Sequence, residues 1–211
     1  TELVNVKKIF SAWKPNSNDI HYGSRIVFDG KGHVFFTVGD RNKREMAQNI
    51  EYQTGKVIRL HEDGSIPKDN PFNGAPSAKP EIWALGIRSP QGLYYNAEKD
   101  ELWEAEMGPR GGDEINLIER KKNYGWPIAT YGREYHGPKI AEGEKAGTEQ
   151  PLVYWVPSIS PSALTFYTGD KFPEWKNHAF LATLSGEHIR RIVFDGRKAT
   201  AQEELLKDLE W

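Results

Sequence analysis

Cysteine is absent from the 211 residues, which excludes disulfides, thiolate catalysis, iron–sulfur clusters and cysteine-ligated zinc. Long apolar runs are missing too: no stretch approaches the ~20 residues that a membrane-spanning helix needs, and the mean hydropathy is −0.69. We therefore expect a soluble protein with no membrane span. Charge of one sign is also lacking, since 28 basic and 30 acidic side chains leave a net charge of −2, and no nucleic-acid partner is predicted. Residues 1–8 lack the basic-then-apolar pattern of a secretion signal.

Turn formers and aromatic residues are plentiful. The chain has 20 glycines and 13 prolines, and aromatic residues make up 12% of it, a balance that favours all-β architecture. A pattern of short strand, turn and aromatic strand occurs three times, and its copies start 68 and 71 residues apart, at 25–36, 93–103 and 164–181. Another short apolar strand follows each copy, at 56–60, 114–118 and 188–194. The repeating unit therefore has about three or four strands.

A long all-strand repeat predicts the blades of a β-propeller, with a β-sandwich as the alternative. Helical signals are weak: residues 44–53 predict one or two turns, and residues 201–209 predict an amphipathic helix or the start of a strand. We treat residues 1–211 as one domain of about three to four blades.

A closed propeller ring needs at least four blades, so the predicted arc is incomplete. We expect the remaining blades to lie outside this chain or to come from a second chain. Open sheets leave apolar side chains that need a partner surface. The candidates for such exposed positions are Val4, Val6, Ile9, Phe10, Trp13 and Leu206.

Motifs along most of the chain resemble one family. They occur in order at 21–25 (HYGSR), 37–41 (TVGDR), 55–60 (GKVIRL), 86–93 (GIRSPQGL), 108–116 (GPRGGDEIN) and 122–127 (KNYGWP). The chain resembles the central part of the soluble PQQ-dependent glucose/aldose sugar dehydrogenases, which contain the glucose/sorbosone dehydrogenase domain and are six-bladed propellers. The resemblance implies oxidation of an aldose sugar at its anomeric carbon, by hydride transfer to PQQ with the help of Ca²⁺, in a periplasmic or secreted protein. It leaves the particular sugar and the electron acceptor open.

Three positions depart from the family pattern. Ser89 stands where an Asn commonly follows the motif arginine, Met107 stands where Gln or His is usual, and no lysine occurs near Ser185. The family's Arg-x-Arg contact to the cofactor falls beyond the end of this chain. Two other hypotheses for the function therefore remain. One is a non-catalytic propeller binding module, of the kind found in hedgehog-interacting protein, and the other is a Ca²⁺-stabilised structural fragment that another chain completes.

Aldose oxidation needs a proton acceptor near neutral pH and a cation beside the quinone oxygen, roles that suit histidine and arginine. The resemblance implies that His21 is the general base, whereas an isolated loop histidine is usually solvent-exposed or capping. Arg88, in the turn Gly-Ile-Arg-Ser-Pro-Gln-Gly, is the candidate cation, with a salt bridge between blades as its alternative. Asp40 is a candidate for orienting His21, unless it forms a structural ion pair with Arg41.

Several cations are expected around PQQ, because it carries three carboxylates and an ortho-quinone. His21 and Arg88 are therefore candidates for cofactor binding as well as catalysis. Arg41 and Arg110 are further candidates.

Calcium is implied at two places. In the family, the carbonyls of the Gly108–Pro109 pair help to hold the Ca²⁺ that carries PQQ, in keeping with the preference of calcium for oxygen ligands. Glu114 with Tyr124 is the candidate for a second, structural Ca²⁺. The alternative for the adjacent acids Asp113 and Glu114 is a solvated acidic pair.

Two aromatic residues follow the Gly108 loop, Trp126 and Tyr131. Their rings are suited to stacking on a pyranose face, and they are equally suited to filling the groove between blades. The sequence favours the second role.

Overall fold

Twelve strands form three four-stranded antiparallel sheets in the computed structural model, which describes residues 2, 4–12 and 20–207 apart from the side chain of Ser24. The first sheet comprises β1 (Gly23–Phe28), β2 (His33–Val38), β3 (Lys56–His61) and β4 (Ile82–Leu85). The second comprises β5 (Pro90–Asn96), β6 (Glu101–Glu106), β7 (Asp113–Ile118) and β8 (Val153–Trp155). The third comprises β9 (Pro161–Phe166), β10 (Ala179–Thr183), β11 (His188–Asp195) and β12 (Lys198–Leu205).

The predicted repeat corresponds to this order of strands. Each copy of the aromatic pattern forms the first two strands of a sheet, and the apolar segment that follows it forms the third strand. The prediction of about three propeller blades is confirmed, and the β-sandwich alternative is wrong. Within the described residues, no helix is long and apolar enough to cross a membrane.

Two helical predictions have different outcomes. Residues Arg44–Gln48 form one short 3₁₀ helix, as the sequence suggests. Residues 201–205 belong to the edge strand β12, so the strand alternative is confirmed there and the helix is wrong, and residues 208–211 lie outside the described part of the chain. β12 pairs with β11 through opposite charges, with Arg190 facing Glu204 and Arg191 facing Glu203, and these pairs favour the strand.

Apolar side chains pack the sheets face to face. Phe35 and Val57 of the first sheet meet Leu93 and Leu102 of the second. A second cluster, between the second and third sheets, contains Trp103, Ile115, Leu164, Phe166, Leu181 and Ile192. Each fully buried aliphatic side chain contributes about 1.5–3 kcal/mol to stability. β5 packs between β1 and β9, so the first strands of the three blades lie next to one another.

The outer face of the first sheet is only partly covered. Phe10 packs edge-on against Phe36, with 4.7 Å between the ring centres, and residues 8–12 line an apolar groove of about 560 Å³ beside β1 and β2. The side chains of Val4 and Val6 are 75% and 79% exposed. Ile9 and Leu206 are also exposed, and Trp13 lies outside the described residues. The expectation that these positions lack a partner surface in this chain holds for Val4, Val6, Ile9 and Leu206.

Lys56 anchors the short 3₁₀ helix to the first sheet. Its side chain is fully buried, and its Nζ donates to the carbonyl oxygens of Met46, Ala47 and Thr54 at 2.8, 3.0 and 2.7 Å. Burial lowers the pKa of Lys56 to about 7. The ammonium group thus satisfies carbonyls at the end of a helix too short to satisfy its own.

Candidate active site

Equivalent connections of the three blades meet at one end of the sheets. In each blade, the segment before the first strand accepts a backbone hydrogen bond from the residue just after the second strand. The three bonds run from Gly39 to Tyr22 at 3.0 Å, from Met107 to Ser89 at 3.0 Å and from Leu184 to Ser160 at 2.9 Å. Because neighbouring strands are antiparallel, the start of one and the end of the next lie at the same end of a sheet.

A cavity of about 430 Å³ lies among these connections. Five of the residues expected to act there line it: His21, Arg88, Gly108, Pro109 and Arg110. The third blade contributes Ser158, Ser160 and Ser185, and Met107 and Tyr135 complete much of the wall. Residues more than 160 positions apart in the chain thus converge on one polar space.

His21 is held in an unusual backbone conformation. Its φ angle of +53° lies in the left-handed region, which is uncommon for residues other than glycine. A Cβ at Gly39 would lie 1.9 Å from the carbonyl oxygen of His21, so only glycine allows this close approach. The Nδ1 atom of His21 is 2.6 Å from Oδ1 of Asp40. Since a carboxylate only accepts hydrogen bonds, the imidazole carries a proton on Nδ1, and in its neutral form Nε2 is left as the acceptor.

Asp40 is fixed by three donors. It is 1% exposed, and its Oδ1 accepts the backbone N–H of Asn42 at 2.8 Å in addition to His21. Its Oδ2 accepts the indole N–H of Trp126 at 2.7 Å. The structure therefore pairs Asp40 with His21 rather than with Arg41.

The two aromatic candidates do not face the cavity. Trp126 is 5% exposed and is directed at Asp40. The ring of Tyr131 stacks on Tyr154, with 3.7 Å between the ring centres, and its hydroxyl donates to Gln150. Both residues therefore pack against protein groups and do not offer an exposed ring on which a sugar could stack.

Arg88 is buried against the cavity wall. Its backbone N–H donates to Oε2 of Glu106 at 2.5 Å, and its Nη1 donates to the carbonyls of Met107 and Gly108, each at 2.8 Å. Its Nη2 lies 3.4 Å from the hydroxyl of Tyr135. The guanidinium thus binds neutral carbonyls, and among the described residues it forms no ion pair within 4 Å of a carboxylate. Its positive charge remains available to an anionic ligand.

Arg110 and Arg41 have different positions. Arg110 is exposed at the rim of the cavity. Arg41 stacks on Tyr22, with its guanidinium carbon 3.4 Å from the ring centre, and lines the apolar groove beside the first sheet. The structure therefore brings Arg110, but not Arg41, to the cavity.

Three buried glutamates lie behind this wall. Burial, together with the negative charge of Glu106, raises the pKa of both Glu104 and Glu114 well above the usual range. Burial raises the pKa of Glu106 to about 7, although N–H donors from Arg88 and Ser89 oppose this change. Glu104 and Glu106 belong to β6 and Glu114 to the neighbouring β7, so three buried acids lie close together and require a compensating charge or protons.

A small cavity of about 10 Å³ adjoins Glu106, Glu114 and Tyr124. The hydroxyl of Tyr124 donates to the carbonyl of Leu117 at 2.6 Å and accepts the N–H of Glu119 at 2.7 Å. The hydroxyl of Tyr124 is therefore engaged by two backbone groups. In the described part of the chain, no three side chains of His, Asp or Glu are grouped so as to hold a metal ion.

Asp113 joins the second blade to the third. Its Oδ1 accepts the N–H of Gly108 at 2.9 Å, and its Oδ2 accepts the N–H groups of Ile159 and Ser160 at 2.7 and 2.9 Å. The hydroxyl of Ser158 donates to the same carboxylate. Asp113 is fully buried and Glu114 is 6% exposed, so the expectation of a solvated acidic pair is wrong.

The sequence analysis did not predict two long-range contacts at this site, nor the presence of Tyr135 and three serines on the cavity wall. The link from Trp126 to Asp40 spans 86 residues, and those from Asp113 to the third blade span 45 to 47. Tyr135 and the three serines on the wall carried no local signal. The equivalence of strand ends between blades was the available clue, because the repeat predicts that the segments around 158–160 and 184–185 lie where His21 and Asp40 lie in the first blade.

The fold and the cavity define a class of protein: a β-propeller with a histidine–aspartate pair and a buried guanidinium at the strand ends around its centre. Comparison identifies the family, since the model of the Glucose / Sorbosone dehydrogenase family matches residues 1–211. The chain belongs to this family.

The relatives are longer than this chain. The aldose sugar dehydrogenase YliI of Escherichia coli (strain K12) is 42% identical over 211 residues, which cover 99% of this chain and 57% of that protein. The crystal structure of the soluble aldose sugar dehydrogenase from Escherichia coli in the apo-form matches with a TM-score of 0.94 and 42% identity, over 98% of this chain and 60% of that one. The PQQ-bound aldose sugar dehydrogenase from Streptomyces coelicolor matches with a TM-score of 0.73 and 28% identity, over 90% and 51%. This chain thus spans little more than half the length of these relatives.

Proposed function

We propose that this chain forms the core of an aldose sugar dehydrogenase that oxidises its substrate at the anomeric carbon with PQQ and Ca²⁺. One observation carries the proposal: His21, paired with the buried Asp40, and the guanidinium of Arg88 line one cavity. Membership of the family supports the reaction class, and the relative from Streptomyces coelicolor is described as PQQ-bound.

The proton step follows from the histidine–aspartate pair. Oxidation of a cyclic aldose to its lactone removes a hydride from C1 and a proton from the C1 hydroxyl. The Nε2 of His21 accepts this proton, because Nδ1 already bonds Asp40 at 2.6 Å. The carboxylate then stabilises the imidazolium, and a positioned base of this kind contributes ~10²–10⁴-fold to the rate.

The cofactor is accommodated by cations on the cavity wall. When bound, PQQ supplies the two-electron acceptor for the hydride. Arg88 is held by two carbonyls and is suited to stabilising negative charge on a neighbouring oxygen, because it needs no reorganisation to do so. Arg110, exposed at the rim, is suited to pairing with a carboxylate of the cofactor.

Calcium fits two groups of oxygens. The carbonyl of Gly108 accepts one N–H from Arg88 and keeps a second lone pair, and Pro109 follows it on the same wall. The small cavity beside Glu114 and Tyr124 has a volume close to that of one small ion, and burial beside Glu106 raises the pKa of Glu114, a change that a bound cation would oppose. We assign the cofactor's Ca²⁺ to the first group and a structural Ca²⁺ to the second.

The compartment and the redox partner complete the proposal. The family resemblance supports a periplasmic location, and cell fractionation with an antibody to the chain tests it. The electron acceptor is open, so an artificial dye takes its place in the assay.

The decisive experiment measures sugar-dependent dye reduction by the longest form of the protein that its host produces, with PQQ and Ca²⁺ added. We expect turnover with aldoses, and a loss of at least ~10²-fold in His21→Ala without a change in the circular dichroism spectrum. The matched control is His61→Ala, since His61 ends β3 and does not line the cavity. Tight PQQ binding without turnover would favour the non-catalytic binding module, and full activity of His21→Ala would exclude this histidine as the base.

A further inference from the structure

Trp126 touches two of the proposed catalytic groups from behind the cavity wall. The edge of its indole donates a hydrogen bond to Oδ2 of Asp40 at 2.7 Å. The face of the same ring lies under Arg88, whose guanidinium carbon is 5.4 Å from the ring centre, within the range of a cation–π interaction. One buried side chain therefore contacts both the aspartate of the histidine–aspartate pair and the cation.

The carboxylate of Asp40 depends on this indole. It is 1% exposed, so water has little access to Oδ2. Its other oxygen already accepts two donors, from His21 and Asn42. Loss of the indole N–H would leave a buried carboxylate oxygen without a donor, and the group would rotate or take up a proton to relieve that loss. Either change disturbs the acceptor that faces Nδ1 of His21.

Trp126 is itself held by neighbours on two segments, the short 3₁₀ helix Arg44–Gln48 and the residue after β4. The backbone N–H of Trp126 donates to the carbonyl of Gly86 at 2.9 Å, and its carbonyl accepts Nε2 of Gln48 at 2.6 Å. Arg44 stands at 5.6 Å from the ring centre and is tied to Glu134 by an ion pair. Because Trp126 is held in place, its indole N–H has a fixed position and can orient the carboxylate of Asp40.

We propose that Trp126 is a positioning residue for His21: its indole N–H fixes the Asp40 carboxylate, which in turn holds the imidazole proton on Nδ1 and directs Nε2 into the cavity. This inference rests on the proposed function for its consequence in catalysis. The orientation itself is a property of the protein without cofactor or metal.

Two substitutions distinguish the hydrogen bond made by the edge of the ring to Asp40 from the contact of its face with Arg88. Trp126→Phe keeps an aromatic ring beneath Arg88 but removes the N–H, whereas Trp126→Leu removes both. Trp155→Phe is the matched control, because it deletes the indole N–H of another buried tryptophan, which donates to Gln202 at 3.0 Å in the outer strands. Circular dichroism melts establish that each variant is folded.

The primary readout is ¹⁵N NMR of the histidine rings in the protein without PQQ or Ca²⁺, at a pH where His21 is neutral. We expect the wild type and Trp155→Phe to show the Nδ1–H form of His21. In Trp126→Phe, the ratio of Nδ1–H to Nε2–H forms should fall about tenfold, as expected for the loss of a hydrogen bond to a charged group. An unchanged ratio in folded Trp126→Phe would overturn the proposal.

The second readout holds even if Trp126→Phe fails to fold. In Asp40→Ala, the indole N–H of Trp126 should exchange with solvent at least tenfold faster than in the wild type, whereas that of Trp155 should not change. Equal exchange rates for Trp126 in the two proteins would show that the bond to Asp40 does not hold the ring, and would also overturn the proposal.

Kinetics then connect the orientation to turnover. We expect Trp126→Phe to lower kcat about tenfold with little change in KM for the sugar, and to have almost no further effect in an Asp40→Ala background, because the indole acts through Asp40. Full additivity of the two substitutions would refute this route. A wild type that shows the tautomer result but oxidises no sugar would count against the proposed function alone and would leave the orienting role of Trp126 intact.

Discussion

Gly39→Ala should separate the position of His21 from the rest of the fold. The new Cβ would lie 1.9 Å from the carbonyl oxygen of His21, whereas real Cβ contacts essentially never fall below 3.0 Å, so one of the two backbones must move by at least 3.0 − 1.9 = 1.1 Å. Neither is free to do so at low cost. His21 already has a φ of +53°, and Gly39 donates its N–H to Tyr22 and precedes the buried Asp40.

The expected magnitude follows from this overlap. Forcing one extra methyl into a packed site costs typically 1–3 kcal/mol. For a protein of this size, a loss of about 2 kcal/mol corresponds to a melting temperature lower by about 4–8 °C. A displacement of about 1 Å at a catalytic group lowers the rate by ~10²-fold, so activity should suffer far more than stability.

The assay pairs thermal melts with the NMR signals of the His21 ring and with sugar-dependent dye reduction. Gly169→Ala is the control, because its Cβ would meet the side chain of Tyr167, from 2.7 Å, rather than backbone, and it lies away from the cavity. Wild-type stability together with unchanged His21 signals in Gly39→Ala would show that the contact is not as tight as the structure indicates, and would refute the reasoning.

Three further outcomes are expected. The pKa of Lys56 is lowered to about 7, so between pH 7 and ~10.4 the unfolded state holds a proton that the folded state has released. The free energy of unfolding of the wild type, relative to that of Lys56→Met, should therefore rise with pH by up to about 4 kcal/mol in urea titrations. Asp113→Ala should destabilise the fold by about 3–5 kcal/mol, because it removes the carboxylate that accepts three backbone N–H groups and leaves those of Gly108 and Ile159 without that acceptor. The exposed Asp170→Ala should change stability by less than ~0.5 kcal/mol in the same melts. Ca²⁺ at a hundredfold excess over its Kd should stabilise the protein by about 2.7 kcal/mol, and Glu114→Gln should weaken this effect in calorimetry; a melting temperature that ignores both chelator and Ca²⁺ would exclude these calcium sites.

Strand periodicity and turn residues predict most of the fold, because each blade repeats the same local pattern. The edge strand β12 is the informative case, because the sequence left a helix and the start of a strand both open there and the structure has the strand. Ala201, Gln202 and Glu203 all have high helix propensity, and their side chains are exposed, so no alternation of apolar residues marks a strand. Pairing with β11 overrides the local preference through backbone hydrogen bonds and opposite charges that are distant in sequence.

The candidate site also has a part that the sequence predicts and a part that it does not. His21, Arg88 and Gly108 were predicted from motifs that are contiguous in the chain, and all three line one cavity. The orientation of Arg41 was not predictable, because its neighbours in the sequence do not show whether a side chain at the end of a strand turns inward or toward the outer face. Its stacking on Tyr22 decides that question in favour of the outer face.

The repeat also explains why the chemistry gathers at one end of the sheets. In every blade, the bond between the residue after the second strand and the segment before the first strand closes a narrow loop, which brings two connections together at the inner edge. A connection has no strand partner to satisfy, so its residues are free to vary: His21 and Asp40 in the first blade, Arg88 and Gly108 in the second, serines in the third. Asp113 and Trp126 then tie these loops across the blade boundaries, from the second blade to the third and to the first. The scaffold supplies equivalent positions, and the bonds between blades convert those positions into a fixed geometry around one cavity.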